Sequence, residues 1–137
     1  MLSRRIFAGC ALCAIGELAA TAAEAQTTPP PATSGVKRNI LKQADGPMPG
    51  YVTVTVEAEI DAGATVARHT HPGIESAYVI DGGGELLVDG QPAMQVTPGS
   101  GFQIPPVTPH SLKNGAKPSR LAITHIVEKG EPLASPV

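Results

Sequence analysis

The sequence predicts an all-β protein, an antiparallel sandwich or barrel of about eight short strands. Three observations carry that expectation. Apolar residues recur with a period of two, as in Val52, Val54, Val56, Ala58 and Ile60, the pattern of a strand with one buried face. Glycine and proline, 15 and 14 of the 137 residues, fall between such runs and act as turn punctuation. No segment shows a convincing helical period, and the length allows one compact domain.

Taken in order, residues 1–25 stand apart. "MLSRRIFAGCALCAIG" is a basic start followed by an apolar run from Ile6 to Gly16, which Glu17 interrupts. "AEAQ" offers small residues for cleavage after Ala25. That is the layout of a secretory signal peptide, and the run is too short to span a bilayer. Ser3, Arg4, Arg5 and Phe7 resemble the twin-arginine signal, the alternative being an ordinary export signal with paired arginines. The mature protein is therefore expected in the periplasm or secreted, with no membrane segment. Cys10 and Cys13 leave with the signal, so the mature chain has no disulfide and no thiolate ligand or nucleophile.

Residues 26–47, opening on "QTTPPPATSG", read as a flexible linker and N-terminal arm, with room for a turn or strand in "VKRNILKQADGPMPG". Residues 48–130 form the domain, and 131–137 read as a C-terminal tail. The first strand starts at Tyr51 and ends at the "DAG" turn. "ATVARHTH" and "ESAYVID" follow, the latter broken by "GGG". "ELLVDGQPAMQV" reads as a hairpin on Asp89-Gly90, a favoured two-residue turn. "GFQIP", "PHSLKN" and "SRLAITHIVE" supply three more strands. Arg4, Arg5, Glu17 and Glu24 go with the signal, so the mature net charge stays at -2. With no basic stripe and no tryptophan, nucleic acid is excluded as a partner.

The chemistry concentrates in "GATVARHTHPGIESAYVIDG". On a strand, residues two apart share a face about 7 Å apart, so His69 and His71 project together while Thr70 faces away. Pro72-Gly73 turns the chain and lets Glu75 return a carboxylate to the same point. His110 opens a later strand after a proline-rich turn, where a barrel wall would set it opposite. Three neutral imidazoles and a carboxylate suit a divalent transition metal: Fe, Mn, Ni, Cu or Zn. The bland alternative is a polar turn with incidental histidines. It is weakened because three of the four histidines enter one scheme.

This stretch resembles the first cupin motif, G-x5-H-x-H-x3,4-E-x6-G, through Gly63, His69, His71, Glu75 and Gly82. The second motif, G-x5-P-x-G-x2-H-x3-N, resembles Gly99, Pro105, Val107, His110 and Asn114. Val107 stands where the family has glycine. Valine resists positive φ, so the loop before His110 is expected to take another turn geometry, stiffened by Pro105, Pro106 and Pro109. The resemblance implies a single-domain cupin jelly-roll β-barrel of the quercetin-dioxygenase-like type. In that reading His69, His71, Glu75 and His110 are metal ligands, Asn114 is structural, and pairing through sheet edges gives a homodimer.

The function expected is a metal-dependent, dioxygenase-like oxidoreductase acting on a small organic substrate, with Glu75 as a catalytic base. The alternatives are a non-catalytic metal or ligand binder and a metal-assisted isomerase or lyase. Among other residues, His125 is expected as a hydrogen-bonded or packing wall residue rather than a fifth ligand. Arg68 should form a surface ion pair and Tyr78 should pack. Phe102, Ile104 and Leu112 should join the valine row in the core.

Overall fold

The computed structural model describes residues 33–137. The expected signal peptide and residues 26–32 of the expected linker lie outside the described residues. The strands are β1 (Val36–Asp45), β2 (Tyr51–Ile60), β3 (Thr65–Thr70), β4 (Ile74–Asp81), β5 (Gly84–Val88), β6 (Met94–Val96), β7 (Gly101–Ile104), β8 (His110–Asn114), β9 (Ser119–Glu128) and β10 (Ser135–Pro136). Among the described residues there is no helix, hence none long and apolar enough to cross a membrane.

The alternation in the sequence dictates the layering. Val52, Val54, Val56, Ala58 and Ile60 on β2 are buried, as are Leu121, Ile123 and Val127 on β9. Each full burial of such a side chain is worth about 1.5–3 kcal/mol. These faces need an opposing apolar surface, and two five-stranded antiparallel sheets supply it. One runs β1-β2-β9-β4-β7 and the other β10-β3-β8-β5-β6. The second sheet contributes Val66, Leu86, Val88, Val96 and Leu112 to the shared core. Ile104 and Leu112 are buried as expected, while Phe102 is only partly so. The result is the expected jelly roll.

Three features go beyond the expectation. The arm segment forms β1, paired with Val52 to Ile60 of β2 and interrupted by an irregularity between Ile40 and Lys42. The Asp89-Gly90 turn exists, with Gln91 N–H donating to Val88 O at 3.1 Å. Strand pairing does not resume until Leu86 meets Met94, so the connection is longer than two residues. Pro92, which has no N–H, sits in the gap. Finally, the C-terminal segment is built in: Leu133 and Ala134 are buried, and β10 pairs with the end of β3, Ser135 opposite Thr70 and Pro136 opposite His69.

Candidate metal centre

The four sequence-predicted ligands meet at one end of the space between the sheets. His69 lies on β3 directly opposite His110, the first residue of β8. On the other sheet Glu75, near the start of β4, lies opposite His125 of β9. His71 falls in the β3–β4 turn. A register irregularity between Val66 and His69 lets both face inward although three residues apart, which plain alternation forbids. Thr70, expected to face away, is itself buried beside β10.

Two glycines fix the turns on either side of β4. At Gly73 a Cβ would sit 1.9 Å from the carbonyl oxygen of Ile126, so only glycine lets the His71 turn press against β9. Gly82 has φ 75°, and a Cβ there would lie 2.3 Å from Pro118 O. The loop before His110 corrects an expectation. Val107 does not impose another geometry; it adopts the glycine-like conformation itself, with φ 55°. Its N–H donates to His71 O at 2.8 Å, so the strained turn is tied to the neighbouring ligand.

One donor atom from each of His69, His71, Glu75 and His110 lies within 4.8 Å of the others. All four side chains are 9 % exposed or less. The ring centroids are 4.8 Å apart for His69 and His71, 4.2 Å for His69 and His110, and 5.1 Å for His71 and His110. What orients them is a shared device. His69 Nδ1 contacts Ala67 O at 2.7 Å, His71 Nδ1 contacts Leu133 O at 2.6 Å, and His110 Nδ1 contacts Thr108 O at 2.9 Å. A carbonyl only accepts, so each Nδ1 carries the hydrogen and each neutral ring turns an Nε2 lone pair inward.

That arrangement is unsatisfied by the protein alone. His71 Nε2 lies 2.6 Å from Glu75 Oε2, and His110 Nε2 lies 3.4 Å from the same oxygen. Yet His71 Nε2 is buried and has no hydrogen-bond partner. The close contact therefore calls for a positive charge, a proton or a metal ion, between the two electron-rich atoms. Burial, with His110 alongside, pushes His69 down to about 4. Burial by itself would raise the Glu75 carboxyl, but the imidazoles of His110 and His71 outweigh it and hold the group well below the usual carboxylate range. A positive charge at the convergence point satisfies both sides. The donor set fits a divalent transition ion.

The remaining expectations divide. His125 is buried on the inward face of β9, 4.5 Å from the His71 ring between centroids. It stands outside the four-donor cluster and packs in the cavity wall as expected, with its Nδ1 buried and without a hydrogen-bond partner. Burial pushes it down to about 4, against the pull of Glu75. Arg68 forms the expected surface ion pair, with Asp89. Tyr78 does not pack; it is 53 % exposed, because its register out of phase with Glu75 turns it to the outer face. Asn114 is structural as expected. Its Nδ2 donates to Ile60 O, Asp61 O and Lys117 O at 3.1, 2.8 and 3.1 Å, and its Oδ1 accepts from Ser119 Oγ. These bonds pin the far end of β8 to the β2–β3 turn.

A narrow cavity leads to the centre, lined by the four ligands, His125, Phe102 and apolar residues of both sheets, and also by Arg38 of β1. Its volume of about 50 Å³ has room for roughly four waters at ~10–15 Å³ each, the scale of a small organic group. Arg38 was passed over in the sequence because its segment reads as an arm. The signal was there in the period-two row Val36, Arg38, Ile40.

A family model described as a cupin domain matches residues 56–128, more than half of the chain. The chain is a cupin. No curated protein matches it. Among solved structures, this cupin is similar to the polyketide cyclase RemF from Streptomyces resistomycificus, at 22% identity and TM-score 0.60 over 77% of this chain and 72% of that one. It is also similar to an RmlC-like cupin from Shewanella frigidimarina NCIMB 400, at 24% identity and TM-score 0.56, covering 70% and 79%. A third is the DMSP lyase DddQ from Ruegeria pomeroyi DSS-3, at 22% identity and TM-score 0.56 over 62% of this chain. This cupin spans only 43% of that lyase. At such identities the likeness establishes the fold.

Proposed function

We propose that this cupin is an exported, metal-dependent oxidoreductase of the dioxygenase-like type, acting on a small organic substrate in the periplasm or outside the cell. The observation that supports it is the set of three inward Nε2 lone pairs, each fixed by a backbone carbonyl, around a buried carboxylate. His69, His71, Glu75 and His110 would hold a redox-active ion, which when bound supplies electron exchange between substrate and dioxygen and Lewis acidity. The protein's own part is spatial and protonic. The cavity admits a small molecule and excludes bulk water, Phe102 and the valines contact its apolar part, and His125 faces it as a neutral imidazole. Glu75, anionic at neutral pH, accepts a proton when its oxygen is free.

A lyase or cyclase reading, with the ion as Lewis acid alone, is favoured by the likeness to the lyase DddQ and the cyclase RemF. Oxygen uptake separates the two. The iron- or manganese-loaded protein should consume oxygen with some member of a panel of phenols, flavonols and diketones, while turnover that persists equally with zinc would support the lyase reading. Elemental analysis of the purified protein comes first; absence of any stoichiometric transition metal would overturn both. Export rests on Arg4, Arg5 and the Ala25 cleavage site. Replacing both arginines by lysine should strand the precursor inside the cell, and normal export of that variant would refute the twin-arginine route.

A further inference from the structure

One cation in the cavity wall has no ion-pair partner among the described residues. In the β1–β2 register Arg38 lies opposite the buried Ala58, as Val36 lies opposite the buried Ile60. Directly opposed residues share a face of the sheet, so Arg38 belongs to the inward row. Its half-buried side chain lines the same cavity as Phe102, His125 and the four donors. The other two arginines among the described residues are ion-paired, Arg68 with Asp89 and Arg120 with Glu57. Arg38 has no acidic group within ion-pair distance among the described residues, and Glu75 acts on it only through space. A guanidinium taken partly out of water without a counter-charge is costly. Burial accordingly lowers its pKa against the opposing pull of Glu75.

Four features converge: inward register, cavity lining, missing partner and apolar neighbours. We propose that Arg38 is the specificity-determining residue for an anionic substrate, a small organic acid whose carboxylate meets the Arg38 fork while its apolar body lies along Val36 and Phe102 toward the histidines. The planar guanidinium matches a carboxylate through two parallel hydrogen bonds. This deepens the functional reading above and rests on it in one respect, that the cavity is a substrate site.

The test is calorimetric binding near neutral pH of benzoate and benzamide, equal in shape and different in charge, to the zinc-loaded protein. Wild type should bind benzoate roughly 10- to 100-fold more tightly than benzamide. Arg38→Gln should bring the two within about threefold, with zinc content unchanged by elemental analysis, and Arg38→Lys should keep a reduced preference. The lysine variant also serves if the glutamine variant melts early. Equal binding of the two probes by wild type, or no detectable benzoate binding, overturns the proposal. So does an undiminished benzoate preference in Arg38→Gln, which would place the carboxylate on the ion instead. A protein that takes up no zinc yet shows an Arg38-dependent preference would remove the metal reading and leave this one standing.

Discussion

Acid should unfold the metal-free protein through two buried imidazoles. His69 and His125 are each pushed down to about 4 in the folded state by burial, against an ordinary value of 6.5. Between those values the unfolded chain binds a proton at each ring that the folded chain refuses. Their contribution is therefore fully present above pH about 6.5 and drains as the pH falls toward about 4. Each ring accounts for about 2.5 pKa units, or roughly 3 kcal/mol. Together they approach a total stability typically of about 5–15 kcal/mol. The slope with both rings titrating is about 2.7 kcal/mol per pH unit. Glu75, held below its ordinary range, adds to the loss at the acid end of the window. Urea midpoints of chelator-treated protein, taken in steps from neutrality down to pH about 4.5, read this directly. His125→Gln should lower the slope by about half. A midpoint that stays level between neutrality and pH about 5, or an equal slope in the variant, would show that these rings are not held neutral by burial.

Three further outcomes are expected. Glu75→Gln and His110→Ala should each lower the metal content of the purified protein at least tenfold, roughly, while both variants keep the wild-type far-ultraviolet spectrum; unchanged content in either would remove that residue from the ligand set. Asn114→Asp, nearly the same size, should cost about 3 kcal/mol in urea unfolding because three carbonyls lose their donor; a cost below about 1 kcal/mol would deny the amide its pinning role. Val107→Asn should raise stability by about 1 kcal/mol, since asparagine tolerates positive φ and the valine, 68 % exposed, gives up little packing. Destabilisation by that change would mean the valine side chain earns its place by contact.

The ligand set was legible because its geometry is local in sequence. His69 and His71 are two apart and Glu75 follows one turn later, so strand periodicity brings three donors together before any tertiary contact is known. His110 needed the family spacing, and the structure sets it opposite His69. The orientation of the rings was only half accessible. Ala67 and Thr108 lie two residues before the histidines they orient, but Leu133 reaches His71 from 62 residues away, and no pattern announces that. Arg38 escaped because the irregularity at Ile40 and Lys42 breaks the alternation of an edge strand whose outer residues are polar. At Val107 the steric rule was sound but was outweighed by the hydrogen bond to His71 O and the flanking prolines.

The carbonyl of Leu133 has a further consequence. Because the last stretch of chain both steadies the His71 ring and covers the edge of the strand bearing His69, docking of that stretch and capture of the ion are linked equilibria. Each should favour the other: an ion in place would shield the segment Leu133–Pro136 from proteolysis, and loss of that segment would quicken escape of the ion.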